Sequence, residues 1–219
     1  MTNILRCTSK LKANSFTLVE LLVVISIIGL LAGLAVPAIQ GGLNNARQGV
    51  DVKQGKSLAE VLFLAANDNN QIFPRNGQDF AAAATSTNFA ANCNEIFLGL
   101  ITNGYLTTPK VLSGYKVPPL TSTNDLTSLS GVNIYWAYVA GLSAGEPYPI
   151  LMTRNTFTGN LANTNILELK DASLAVTGTP WGKAGVAVID ADSAARWIKG
   201  PNVRPTWGEN PNASILQPQ

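Results

Sequence analysis

Glu20 is the only charged side chain in the run FTLVELLVVISIIGLLAGLAVPAI, residues 16 to 39. A carboxylate placed in hydrocarbon costs on the order of 2–3 kcal/mol or more, so it needs a partner. A cut between Ser15 and Phe16 would create one. The new α-amine of Phe16 would stand about one helical turn from Glu20, within reach of the Glu20 of a neighbouring chain. Other chemistry is sparse. There is no histidine, the commonest general base and metal ligand. Of the two cysteines, Cys7 precedes Phe16, and Cys93 reads as a small, half-buried side chain rather than a nucleophile. Asp190 and Asp192 sit two apart in a turn and read as turn formers, since a calcium ion takes about 6–8 oxygen ligands. No residue is assigned to catalysis, to a cofactor or to a metal, and no enzyme is expected.

These residues need elements to hold them. Residues 16–39 have the length and composition of a membrane span. Residues 1–15 are a basic leader. Arg6, Lys10 and Lys12 are three of the 15 basic side chains, and none of the 13 acids precedes Phe16, so the formal charge of +2 belongs to the leader. The remainder has no basic excess, which argues against a nucleic-acid partner. Lysines before the span and no cluster directly after it place the N-terminus in the cytoplasm and the body outside the inner membrane. Three outcomes fit this segment: a retained anchor, a secretory signal peptide cut at the small-x-small sequence Gly33-Leu34-Ala35, or a cut before Phe16. Only the last gives Glu20 a use. Gly29 and Gly33 share a helix face and permit close helix approach. Pro37 cannot donate to the carbonyl of Gly33, so a kink or loosening is expected there.

Beyond Ile39, Leu43, Ala46, Val50, Leu58, Val61, Leu62 and Ala65 recur at helical spacing, while Arg47, Asp51, Lys53, Lys56 and Glu60 fall largely elsewhere. One helix is therefore expected over 16–67, ended by the polar run at 67–70. A body over 68–200 follows. It holds a short helix from Glu95 to Thr102 with Asn94 as its cap, and a polar loop at 121–130. Strands are expected at Ile134–Val139 and Ile150–Thr153, with a hairpin of Gly185–Ile189 and Ala194–Ile198. Thr153, Arg154 and Asn155 read as a loop cluster. Residues 201–219 contain four prolines and read as a loosely ordered tail. The fold class is α+β: a long N-terminal helix packed on a small antiparallel sheet of about four strands. Tyr135, Trp136 and Tyr138 could form a stacking face for glycan or DNA, although strand alternation sends Tyr135 opposite Trp136 and makes at least one of them core.

Phe16-Thr17-Leu18-Val19-Glu20, with the basic leader before it and the apolar run after it, resembles the signal of type IV pilins and type II secretion pseudopilins. Pro37 also falls where that family often has a proline. The family residue before the cut is nearly always Gly, whereas here it is Ser15, also small. The resemblance covers about residues 13–40. It implies cleavage between Ser15 and Phe16 by a prepilin peptidase and N-methylation of Phe16. It also implies a role for Glu20 in assembly and local unwinding over Gly29–Pro37 in the filament. The implied product is a pilin-like subunit of a pseudopilus or type IV pilus-like filament. Its partners would be copies of itself, other pilins or pseudopilins, the inner-membrane assembly platform and membrane lipid. A membrane-tethered, extracytoplasmic binding module for glycan, DNA or a secretion substrate, which does not polymerise, is the alternative.

Overall fold

The computed structural model describes residues 16–77, 90, 92–120, 129, 133–154, 166–168, 180–199, 206–209 and 214–216. The leader, Ser15, most of the expected loop at 121–130, and Asn155 lie outside the described residues. The chain divides into two units, Met1–Asn45 and Ala46–Gln219, although helix α1, Leu18–Asp68, runs as one element from the first into the second.

In the first unit every described residue is exposed. Leu22, Ile25, Ile28, Leu31 and Leu34 are among the exposed large side chains, distributed all round the helix. A helix apolar on every side is a membrane span or a buried core helix, and this stretch is not buried. The helix is long and apolar enough to cross a membrane. It continues without interruption through Pro37, which lies inside it. A proline withholds one backbone hydrogen bond, and intact turns on both sides hold the helix across it.

In the second unit α1 buries Asp51, Gly55, Leu58, Ala59, Leu62, Ala65 and Ala66. This face keeps part of the one read from periodicity and adds Asp51 and Gly55 to it. Leu58, Leu62 and Ala65 are core, but Val50 is 60% exposed and Asp51 is buried. Gly55 lies on the same stripe as Leu58 and Leu62: a β-carbon there would stand 2.4 Å from Trp136 and 2.5 Å from Ile189. Helix and sheet approach closely where the helix has no side chain, and the face beside Gly55 is drawn inward with it.

The helix ends at Asp68. Asn69 donates its side-chain amide to the Ala65 carbonyl at 2.7 Å, and Asn70 and Gln71 adopt positive φ angles of 56° and 65°. Helix α2 runs Cys93–Thr102. Its cap is Asn92, not Asn94: the Asn92 side chain accepts from the backbone N–H groups of Asn94 and Glu95. Both are asparagines, and α2 begins two residues earlier than its apolar pattern suggests.

The strands are β1 (Trp136–Ala140), β2 (Pro149–Thr153), β3 (Ile166–Glu168), β4 (Gly185–Asp190), β5 (Ala195–Lys199), β6 (Thr206–Glu209) and β7 (Ser214–Leu216). The main sheet has five strands in the order β5-β4-β2-β1-β7, each pair antiparallel. Strands β1, β2 and β4 are buried along their whole length, which explains their continuous apolar runs. The α+β arrangement holds, and four of the strands are the expected ones.

The tail departs from expectation. β6 pairs with β3, and β7 extends the main sheet by pairing with β1, with Tyr138 opposite Leu216 and Val139 opposite Ile215. No proline falls within Thr206–Glu209 or Ser214–Leu216, so neither strand lacks a backbone donor for its ladder.

Candidate functional site

The first turn of α1 is built by Thr17 and Glu20. The Thr17 N–H and hydroxyl both donate to Glu20 Oε2 at 2.8 Å, and the Glu20 N–H donates to the Thr17 hydroxyl at 3.2 Å. This reciprocal pattern is a capping box, Thr-x-x-Glu before an apolar run, which the sequence reading did not single out. It satisfies donors that a helix end in lipid would otherwise leave bare. Glu20 Oε1 accepts no hydrogen bond from the described residues. One carboxylate oxygen thus closes the helix end while the other stays available to a cation. Phe16, directly before the cap, is 71% exposed. Gly29 and Gly33 lie in the same helix, and a β-carbon at either would meet nothing within 4 Å, so the isolated chain leaves both positions uncovered.

A second polar cluster, which the sequence did not announce, lies in the body. Asp51, only 2% exposed, accepts from the Tyr135 hydroxyl, from Trp181 Nε1 at 2.7 Å and from the Tyr115 backbone N–H. Trp181 Nε1 also lies 2.7 Å from the Tyr135 oxygen. Burial pushes the Asp51 carboxyl above the usual aspartate range, against the opposing pull of its three donors. Burial and the adjacent Asp51 charge push the Tyr135 phenol well above its usual value, so it stays a neutral donor. Rings enclose the cluster. Tyr115 stacks on Trp181 at 4.3 Å, Trp181 meets Trp197 edge-on at 5.2 Å, and the Arg47 guanidinium lies 5.2 Å from the Tyr115 ring centre. Such a cluster ties α1 to the sheet. Sequence reasoning set Asp51 on the solvent side of the helix, and no local signal marked it or Trp181.

The remaining candidates have structural partners. Asp190 is ion-paired with Arg196 across the β4–β5 hairpin, and the Asp192 side chain accepts from the Ala194 N–H at 2.9 Å within the turn. Burial raises the Asp190 carboxyl despite the arginine. Cys93 is fully buried, and its thiol, held well above its usual value by burial, points to the Trp136 carbonyl at 3.4 Å. Tyr135, Trp136 and Tyr138 are all fully buried, so they form core and no exposed stacking face. The Tyr138 hydroxyl donates to the Pro74 carbonyl at 2.7 Å. Arg154 donates to the Ile134 carbonyl at 3.1 Å.

A family profile described as the prokaryotic N-terminal methylation motif matches residues 10–36. The match spans the Ser15–Phe16 junction, the Thr17–Glu20 cap, Gly29 and Gly33, and stops one residue before Pro37. This motif is the hallmark of the prepilin-type signal of type IV pilins and pseudopilins, a structural and not an enzymatic family. The chain therefore carries a prepilin-type signal and a membrane-capable helix, followed by an α+β body. No curated protein and no solved structure matches it.

Proposed function

We propose that the chain is a structural subunit of a type II secretion pseudopilus or a type IV pilus-like filament. In this reading it enters the inner membrane with its N-terminus in the cytoplasm. A prepilin peptidase cuts between Ser15 and Phe16 and methylates the new Phe16 amine. The assembly platform then adds the subunit to copies of itself or related subunits. It is not an enzyme and takes no cofactor, metal or nucleic acid.

The observation that supports this most is the pairing of the methylation motif with the Glu20 carboxylate at the tip of an otherwise uncharged helix. Oε2 caps its own helix, and Oε1 receives the Phe16 amine of the next subunit, which makes register a matter of charge. The exposed apolar circumference supplies cohesion, first with lipid and then with neighbouring helices. Gly29 and Gly33 permit close approach, and Pro37 marks where the helix yields during packing.

Mass spectrometry of the N-terminal peptide from the membrane fraction tests the processing, with N-methylated Phe16 expected. A chain that begins at Met1 or Val36 would overturn it. Glu20→Leu is expected to insert in the membrane normally and to give no fibres. Normal fibres from that variant would remove Glu20 from the mechanism.

A further inference from the structure

Three rings and three cations form one surface of the body where α1 enters it, and all six residues belong to the second unit. Tyr115 stacks on Trp181 at 4.3 Å and Trp181 meets Trp197 at 5.2 Å, so the rings make a continuous row. Arg47 and Lys116 each stand 5.2 Å from the Tyr115 ring centre. Lys199 ends β5 two residues beyond Trp197, on the same side of the strand. The rings are half-buried and the three cations are exposed. Among the described residues none of the three cations is ion-paired. Lys116 is held there at a cost. Its φ is 61° in the turn between Gly114 and Val117, a place where glycine or asparagine is ordinary.

Acids mark the opposite end of the same elements. Asp51 bonds Trp181 while Gly55, one turn on, meets Ile189, so α1 and β4 run in the same sense. At their far ends these two elements carry Asp68 and Asp190, and Asp192 lies in the turn after β4. The acid nearest the rings, Asp51, is buried beneath them with its own donors. Arg47 is the first charged side chain after Glu20 and follows Ile39 by eight residues, which is about 12 Å of helix. The headgroup zone is about 5–7 Å deep on each side of the hydrocarbon, and a long arginine side chain reaches back towards it.

We propose that this row of rings and cations docks on the anionic phospholipid headgroups of the membrane that the chain spans, and so holds the body against the bilayer before assembly. The inference rests on the membrane insertion in the reading above and not on the filament. Tryptophan and tyrosine favour the interfacial zone because one end of each ring is apolar and the other polar. The cations add attraction for lipid phosphate. The nearness of Arg47 to the span favours lipid over any partner that must arrive from solution.

The full-length chain in lipid nanodiscs tests this, through quenching of its tryptophan emission by a headgroup-spin-labelled lipid. Discs of phosphatidylcholine are compared with discs holding roughly one third phosphatidylglycerol. Quenching is expected to be stronger in the anionic discs and to fall as salt is raised. Arg47→Gln, Lys116→Gln and Lys199→Gln are each expected to weaken docking about fivefold, and the triple variant to quench as in neutral lipid. The three side chains are exposed, so an unchanged melting temperature is expected and checks the fold. Lys56→Gln removes an exposed cation elsewhere on α1 and should leave quenching almost unchanged. A loss there as large as that of Arg47→Gln would make the attraction one of net charge and overturn the site. Equal quenching in the two lipids, or an unchanged triple variant, would also overturn it. If quenching ignores lipid charge while a single-stranded oligonucleotide shifts the emission, the surface belongs to nucleic acid and the proposal falls. A chain that docks as expected but is not cut before Phe16 keeps the docking and removes the filament reading; a chain that does not insert removes both.

Discussion

Asp51 and Trp181 are 130 residues apart in the chain, yet the indole nitrogen of Trp181 lies 2.7 Å from Asp51 Oδ2. The carboxylate comes from the helix that begins in the membrane segment, and the indole from the segment just before β4. Tyr135, next to β1, donates to the same oxygen. One buried acceptor therefore joins three distant parts of the sequence, and the body is held to α1 by directed bonds as well as by apolar contact. A low-dielectric site makes such bonds strong and makes their loss costly.

Asp51→Ala would strand the Tyr135 and Trp181 donors in the interior. The expected loss is about 2–4 kcal/mol, the range for uncompensated buried polar groups. Asp51→Asn keeps an acceptor of the same shape and should lose roughly half as much. Denaturant unfolding of the detergent-solubilised chain, followed by tryptophan fluorescence, measures both. Equal stability of wild type and Asp51→Ala would show that the cluster contributes nothing.

The same cluster sets a pH dependence with a definite sign. Asp51 and Asp190 both have carboxyls raised by burial in the folded chain. The folded state thus holds their protons more tightly than the unfolded state does. Their contribution to stability is full below the ordinary aspartate value of about 3.9 and is lost as pH rises through the higher folded values. These two groups should therefore favour folding on acidification from neutral pH towards about 4. The comparison that isolates Asp51 is the unfolding midpoint against pH in wild type and in Asp51→Asn, where the dependence should be shallower. Parallel curves would exclude Asp51 as a contributor.

Two glycines of α1 should respond in opposite directions to alanine. Gly49 is exposed, and an added β-carbon meets nothing, so Gly49→Ala should stabilise by up to about 1 kcal/mol through helix propensity alone. At Gly55 the same β-carbon would overlap Trp136 and Ile189. Gly55→Ala should destabilise by about 1–3 kcal/mol despite the gain in propensity. Thermal melts of the two variants, side by side, check the contrast.

Thr17→Ala removes the hydroxyl that both gives to and receives from Glu20. The first turn should fray, at a cost of about 1 kcal/mol, whereas Thr17→Ser should keep the cap. Amide exchange at Val19 and Glu20 in micelles reports the fraying directly. Because the free turn no longer presents Glu20 in one orientation, the alanine variant should also form fewer fibres than the serine variant.

What could be read from the sequence had local causes. Inside hydrocarbon a chain must satisfy its polar groups within a few residues, so Phe16, Thr17 and Glu20 and the apolar run after them carry their structure and much of their role in their own order. The ends of α1 and the β4–β5 hairpin were legible for the same reason, since caps, turns and short periodic runs act over three or four residues. The spacing of Leu58, Leu62 and Ala65 marked one side of α1, and the tertiary structure decided how closely that side meets the sheet. That closeness follows from the absence of a side chain at Gly55 and the ring of Trp136 against it, which periodicity cannot register. The tertiary structure also decided that Asp51 is buried, because its side-chain donors come from positions 84 and 130 residues away. The strands of the proline-rich tail were hidden likewise: β7 exists only because β1 offers it an edge, and a sheet edge belongs to the folded molecule and not to any stretch of the chain.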